Sequence, residues 1–240
     1  MIVLGIGVGV LSGFFGIGGG TILVPILLLM GYDMKVAIGI SIVQMVFSSV
    51  YGSFLNLKKG SLQFDTLLSI GLGGFSGALL SGWVVSALSS QTLEYIFLLF
   101  VVIALARMAY KPALYKETRS AHPLVLFLIG TMIGVFAISV GVGGSILLVP
   151  ILVGFLHFEL KKAISAGLFF VVFSSISGLI SLSVAGQVAY LDGVVIGAAS
   201  LIGVFAGVHL NHMTQTLIQK RLLLAFYLLV LSYLLTRTFL

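Results

Sequence analysis

Twelve residues of this chain occur twice. Residues 16–27, GIGGGTILVPIL, and residues 141–152, GVGGSILLVPIL, agree at eight of twelve positions, each 125 residues apart: Gly16, Gly18, Gly19, Leu23, Val24, Pro25, Ile26 and Leu27. After a slip of one residue, VFSS at 46–49 returns at 172–175, and Gly52, Gly60 and Gly77 match Gly178, Gly186 and Gly203. Self-similarity at a fixed spacing marks a duplicated architecture. Whatever the first half folds into, the second must accommodate as well. The halves are 1–106 and 124–240, joined by the polar stretch RMAYKPALYKETRSAHP at 107–123.

Both copies sit in sequence apolar enough to cross a bilayer. Residues 36–57, 66–93, 120–158, 163–191 and 193–219 contain no Asp, Glu, Lys or Arg, and each reaches the ~20 residues a spanning helix needs. Residues 95–106 and 222–236 are shorter, with flanks that can snorkel. At 8% charged residues and a mean hydropathy of +1.29, the chain could not cover the surface of a soluble domain. The short alternating segments of a β-barrel do not occur, so the fold class is an all-α polytopic membrane protein. With no cysteine, disulfides, iron–sulfur clusters and thiol chemistry are excluded. The formal charge of +6 lies in loops between spans, which points to membrane orientation rather than nucleic acid. No Lys or Arg precedes Lys35, so a basic secretory leader is not expected.

Each half opens on a hydrophobic segment that is too long. As one straight helix, residues 2–31 would run ~45 Å against a ~30 Å hydrocarbon core. The glycines in its middle, and Pro25 after them, weaken a helix interior by roughly 1 and 3 kcal/mol each. Two shapes remain: a kinked single span, or a hairpin that enters and leaves on one side. Positive charge discriminates between them. Single spans divide the 12 Lys and Arg as 7 against 5. Hairpins gather ten on one side (Lys58, Lys59, Arg107, Lys111, Lys116, Arg119, Lys161, Lys162, Lys220, Arg221) and leave Lys35 and Arg237 on the other. The positive-inside rule selects the hairpins. Each half is then a re-entrant, broken-helix hairpin plus three transmembrane helices, and the odd number of crossings inverts the second half. Inverted repeats with interrupted helices are transporter architecture. Both termini are expected outside the cytoplasm of a bacterial-type plasma (inner) membrane.

The ordered motifs GFFGIGGGTILVPILLLMG with AIGISIVQMVFSSVYG, and VGVGGSILLVPIL with AISAGLFFVVFSSISG, cover essentially the whole chain. In these the sequence resembles the sulfite exporter TauE/SafE family, also called the toluene sulfonate uptake permeases. The resemblance implies transport of sulfur-containing anions of the sulfite, sulfonate, sulfoacetate or thiosulfate type. The second copy departs from the first at Ser145, where the first has Gly20, and at Ser139-Val140, where the first has Phe14-Phe15.

A half-helix that starts at mid-membrane presents unpaired N–H groups and the positive end of its dipole. Glycine at that start lets an anion approach the amides. The expected substrate site is therefore Gly18, Gly19, Gly20 and Thr21 with Gly143, Gly144 and Ser145, and Pro25 and Pro150 are expected to break or end the return arms. On the next helix Ser41, Gln44, Ser48 and Tyr51, spaced 3, 4 and 3, share a face. Its counterpart carries Gly167, Phe170, Ser174 and Ser177. Gln44 reads either as an anion contact or as packing glue between helices, and the serines read more simply as bonding their own backbone. The exchange of Gln44 for Phe170 suggests a solute with a charged head and an organic tail. Gly9/Gly13, Gly73/Gly77, Gly130/Gly134 and Gly203/Gly207 read as close helix packing. His122, His157, His209 and His212 fall at span ends, and Asp65 and Asp192 are expected to cap helices.

No paired carboxylates, HExxH or intramembrane Ser–His set is present to support an enzyme, and no catalytic residue, metal or cofactor is expected. An anion channel with the same helix-end site is the rival reading. The expected partners are a small anionic organosulfur substrate and the lipid bilayer, with no nucleic acid; a coupling proton and a second copy in a homodimer are left open.

Overall fold

The computed structural model describes residues 1–58, 64–110 and 122–239. Lys59, Gly60, Lys111, Lys116 and Arg119 lie outside the described residues, as do the side chains of Asp65, Arg107 and Arg237. In chain order the first half forms α1 (Ile2–Phe15), α2 (Gly20–Leu29), α3 (Met34–Lys58), α4 (Phe64–Ala78), α5 (Ser81–Ala87) and α6 (Ser90–Tyr110). The second half forms α7 (Pro123–Ser139), α8 (Ser145–Gly154), α9 (Leu160–Val184), α10 (Tyr190–Met213) and α11 (Thr216–Phe239). Among the described residues five helical stretches are long and apolar enough to cross a membrane, in α3, α4–α5, α9, α10 and α11.

The overlong opening segments are each broken at their glycines. The 14 residues of α1 and the 10 of α2 measure about 21 and 15 Å at 1.5 Å per residue, so neither reaches across a bilayer alone. Gly16 ends α1 in the left-handed region, its N–H donating to Ser12 O at 2.8 Å. Gly19, at φ 83°, starts α2, and Gly144, at φ 89°, starts α8. L side chains avoid that conformation at a cost of roughly 1–2 kcal/mol, so only glycine turns the chain here without strain. The expectation that Pro25 and Pro150 break or end the return arms is corrected: both lie inside α2 and α8, which continue to Leu29 and Gly154. Each costs one N–H partner, that of the carbonyl four residues earlier, while the glycines upstream have already made the break.

The stretch expected to span over 66–93 does so as Leu67–Ala87, with a turn at Leu79–Leu80 between α4 and α5. Ser181 of α9 fills the gap. Its hydroxyl accepts from Gly82 N at 2.9 Å and donates to Leu79 O at 2.6 Å, satisfying one donor and one acceptor at the break. Asp192 does not cap α10, which begins after Ala189 with no side-chain cap; it lies in the first turn instead. Asp33 is the acid that ties a helix start, accepting from Lys35 N at 2.8 Å and from Ser90 Oγ at 2.9 Å.

Helix pairing is exchanged between the halves. α1 lies along α10, and its counterpart α7 lies along α4, the counterpart of α10. The paired glycines make both contacts. A Cβ at Gly9, Gly13, Gly203 or Gly207 would run into Ser200 O, Val204 O, Ile6 O or Val10 O. At Gly73, Gly77, Gly130 and Gly134 the obstacles are Phe127 O, Thr131 O, Ile70 O and Gly74 O. Backbones this close gain dispersion contacts that lipid cannot offer. In both pairs residue numbers rise together, so the helices run parallel.

α3 and α9 cross at the centre, where Ser49 Oγ and Ser175 Oγ, equivalent residues of the duplicated VFSS, face each other at 3.5 Å. One end of the bundle collects Asp33 with Ser90, Gly39 against Gln187 O, and Gly5 against Ile196 O. The other collects Lys161 Nζ on His212 O at 3.0 Å, and His212 Nε2 within 3.3 Å of Asn56 Oδ1.

Candidate functional site

The two glycine turns meet where α3 crosses α9. Gly20 at the first tip packs against Gly141 O of the second, and Ser41 Oγ donates to that carbonyl at 2.7 Å. Met45 reaches both tips: its Sδ lies 2.8 Å from a Cβ built at Gly20 and 2.7 Å from one at Gly143. Val171, equivalent to Met45, lies against Gly18 and Gly143. These contacts make one sealed centre. Thr21, Ser41, Gln44, Ser48, Ser145, Phe170 and Ser174 are all fully buried.

Two serines hold the turns. Ser48 Oγ donates to Gly18 O at 3.1 Å, and Ser174 Oγ donates to Gly143 O at 3.1 Å. The same helix position thus fastens the same loop carbonyl in each half. Their protons are committed to backbone, which makes Ser48 and Ser174 supports of the tips.

The helix starts point inward with free donors. Ile22 N and Leu23 N both bond Gly19 O, at 3.0 and 2.9 Å, which leaves Gly20 and Thr21 as the α2 amides without an intrahelical acceptor. Leu147 N and Leu148 N bond Gly144 O in the same way, at 3.2 and 3.0 Å, leaving the amides of Ser145 and Ile146. Thr21 Oγ1 and Ser145 Oγ add hydroxyls that are buried without a hydrogen-bond partner.

Gln44 is the exceptional residue. Neither Oε1 nor Nε2 has a hydrogen-bond partner, and the side chain is wholly buried. A Cβ at Gly19 would meet Gln44 Oε1 first and lie 2.7 Å from Nε2, so the carboxamide rests on the tip itself. A buried amide left unpaired costs about 1–3 kcal/mol, and the packing-glue reading supplies no partner that would offset it. Phe170 occupies the equivalent place over the second tip, its ring carbon Cε1 2.5 Å from a Cβ built at Gly144.

Tyr51 does not join this group. It is half-buried and lines an outer groove of about 390 Å³ with Phe47, Phe54 and Leu201. Two turns beyond Gln44, the helix face it shares has left the level of the tips. Two polar residues that sequence reasoning missed sit beneath the first tip: Asn211 Nδ2 and Gln219 Nε2 donate to Phe14 O at 2.6 and 3.3 Å, capping the open end of α1. Their first-half equivalents, 126 residues earlier, are Val85 and Leu93. The half-to-half comparison that singled out Gln44 against Phe170 would have found them.

The buried polar set among the described residues consists of Ser, Thr, Asn and Gln, with no Asp, Glu, Lys or Arg. Such a centre offers neutral donors and helix-end dipoles, which suit an anion. Among the described residues no group of three His, Cys, Asp or Glu lies close enough together to hold a metal.

A family profile described as Sulfite exporter TauE/SafE matches residues 1–234. YunE of Bacillus subtilis, described as a probable membrane transporter protein, is 24% identical over 247 residues, covering 90% of this chain and 89% of its own. MJ0441 of Methanocaldococcus jannaschii, described in the same words, is 28% identical over 200 residues, covering 80% of this chain and 74% of its own. A probable membrane transporter protein of Haemophilus influenzae is 26% identical over 189 residues, covering 74% and 70%. No solved structure matches the chain significantly.

Proposed function

The chain belongs to the sulfite exporter TauE/SafE family, and from that premise we propose that it is a secondary transporter of sulfur-containing anions whose site lies at the amino ends of α2 and α8. Membership carries the coarse function, an integral membrane transporter rather than an enzyme. The observation that carries the site is Gln44: a fully buried carboxamide with no partner, laid on the start of a half-helix. With Nε2 turned to the tip, it would donate to a sulfonate- or sulfite-type oxygen beside the Gly20 and Thr21 amides. Phe170 would face the organic part of the solute, giving a charged head on the first tip and an apolar wall on the second.

The hairpin topology supports alternating access. α1 begins, and the segment after α2 ends, at the end of the bundle where α3 and α10 start. This arrangement supports a first hairpin re-entrant from that side, and the exchanged pairing supports a second that enters from the other. In this reading the end that carries Lys161, with Lys162 beside it at the start of α9 and Lys58 at the end of α3, is the cytoplasmic one by the positive-inside rule. Both termini then lie outside the cytoplasm, in a plasma membrane. Full burial of the tip residues favours a carrier in an occluded state over an open pore.

The test is Gln44→Leu in proteoliposomes. A hydrogen bond to a charged group contributes about 1.5–3 kcal/mol, so saturable sulfite or methanesulfonate flux should fall about 10- to 100-fold with the protein still folded. Unchanged flux would remove Gln44 from the site.

A further inference from the structure

We propose that the site takes a singly charged oxyanion and moves its one charge uncompensated, so that the membrane potential alone sets the distribution of the solute. This rests on the reading of the hairpin tips as the anion site. The tips present backbone amides, the Gln44 carboxamide and the hydroxyls of Thr21 and Ser145, all electrically neutral. Outside the tips, the stretches 36–57, 66–93, 120–158, 163–191 and 193–219 contain no Asp, Glu, Lys or Arg, and residues 1–32 contain none either.

Two consequences follow from electrostatics. The first concerns valence. The cost of taking an ion out of water grows as the square of its charge, so a dianion pays about four times the penalty of a monoanion of equal size. A site with a buried cation could offset that difference by attraction. Neutral donors gain only in proportion to the charge and fall behind. The hydroxyls of Ser41, Ser48 and Ser174 add nothing to share the second charge, since they already bond backbone carbonyls.

The second concerns charge movement. The empty centre carries no charge and the loaded centre carries that of its ligand. Whichever conformations exchange, the difference between the loaded and empty journeys is one elementary charge per turnover. Work done by the membrane potential on that charge is fixed, and an inside-negative potential drives it outward. The geometry therefore makes export the downhill direction without a coupling ion.

The experiment uses purified protein in liposomes with methanesulfonate as the monoanion and sulfate as the dianion, under potassium-diffusion potentials at equal pH. Protein-free vesicles and Gln44→Leu serve as controls. For a monovalent ion about 59 mV corresponds to a tenfold ratio, so each such step should shift steady-state methanesulfonate about tenfold toward the positive side. The steady state is independent of how the protein is oriented. Sulfate should neither be carried nor compete at equal concentration. A distribution that ignores potential and follows an imposed pH or sodium gradient would overturn the inference while the anion site stood. Equal transport of sulfate would overturn the valence half. Absence of any saturable methanesulfonate flux, with the protein folded, would instead sink the site on which the inference rests.

Discussion

The two hairpin tips have the same backbone and opposite chemistry. Gly19 and Gly144 adopt the same left-handed turn, and Ser48 and Ser174 fasten equivalent carbonyls at the same distance. Yet the residue lying on the first tip is an amide without a partner, and on the second it is a phenyl ring in contact with Gly144, Gly74 and, through them, α4. A second difference is compensated. Gly141 O is flanked by Gly20 on its hairpin side and Ser41 on its helix side, whereas in the other half a Cβ built at Gly167, the equivalent of Ser41, would meet both Gly16 O and the Cβ of Ser145, the equivalent of Gly20. Serine and glycine have traded places between hairpin and helix, keeping one small and one slightly larger neighbour at each loop carbonyl. Duplication preserved the steric frame of the centre while Gln44 and Phe170, the residues lying on the two tips, diverged in polarity.

Breaking the second tip should have the largest effect on stability. Phe170→Ala removes a fully buried ring and is expected to cost about 3–5 kcal/mol, read as a large fall in thermal midpoint in detergent. A loss under 1 kcal/mol would mean the ring is not a structural plug. Next comes the compensated pair. Gly20→Ser adds a side chain against Gly141 O and should cost about 1–3 kcal/mol by overpacking. Adding Ser41→Gly reproduces the second half's arrangement and should recover most of that loss; a simple sum of the two single effects would refute the exchange.

Ser48→Ala and Ser174→Ala should each cost about 0.5–1.5 kcal/mol, the worth of one ordinary hydrogen bond. Because the two bonds are equivalent, the costs should agree; markedly unequal losses would show that the frame is not shared. The smallest change in stability is expected at Gln44→Leu. Removing an unpaired buried amide should leave stability unchanged or raise it by about 1–2 kcal/mol, in contrast with the large effect expected on flux. A substantial destabilisation there would show that Gln44 is structural.

Much of this centre was legible in the residues. The 125-residue offset of the glycine–proline motif fixed two equivalent turns, and the excess length of residues 2–31 required a break at the glycines. The GxxxG-type pairs announced close packing, because only glycine can bring backbones into contact. Gln44 stood out by comparison with its own copy. The turn at Leu79–Leu80 was invisible because the hydroxyl that partners it, that of Ser181, lies 99 to 102 residues away in sequence and looks like any helix serine. Tyr51 was misplaced because spacing along a helix gives direction and not depth.

By itself, then, the sequence determined a duplicated, all-helical membrane protein with two glycine turns, since hydropathy, repeat spacing and helix-breaking residues act through local and one-dimensional physics. Which helix each glycine stripe meets was decided only in three dimensions. α1 pairs with α10 and α7 with α4 across the halves, because each stripe needs a complementary surface and nothing in its own spacing says where that surface is. The same holds for the centre. Whether Gln44 is glue or ligand contact depends on what surrounds it, and the fold leaves its amide on a helix start with no partner.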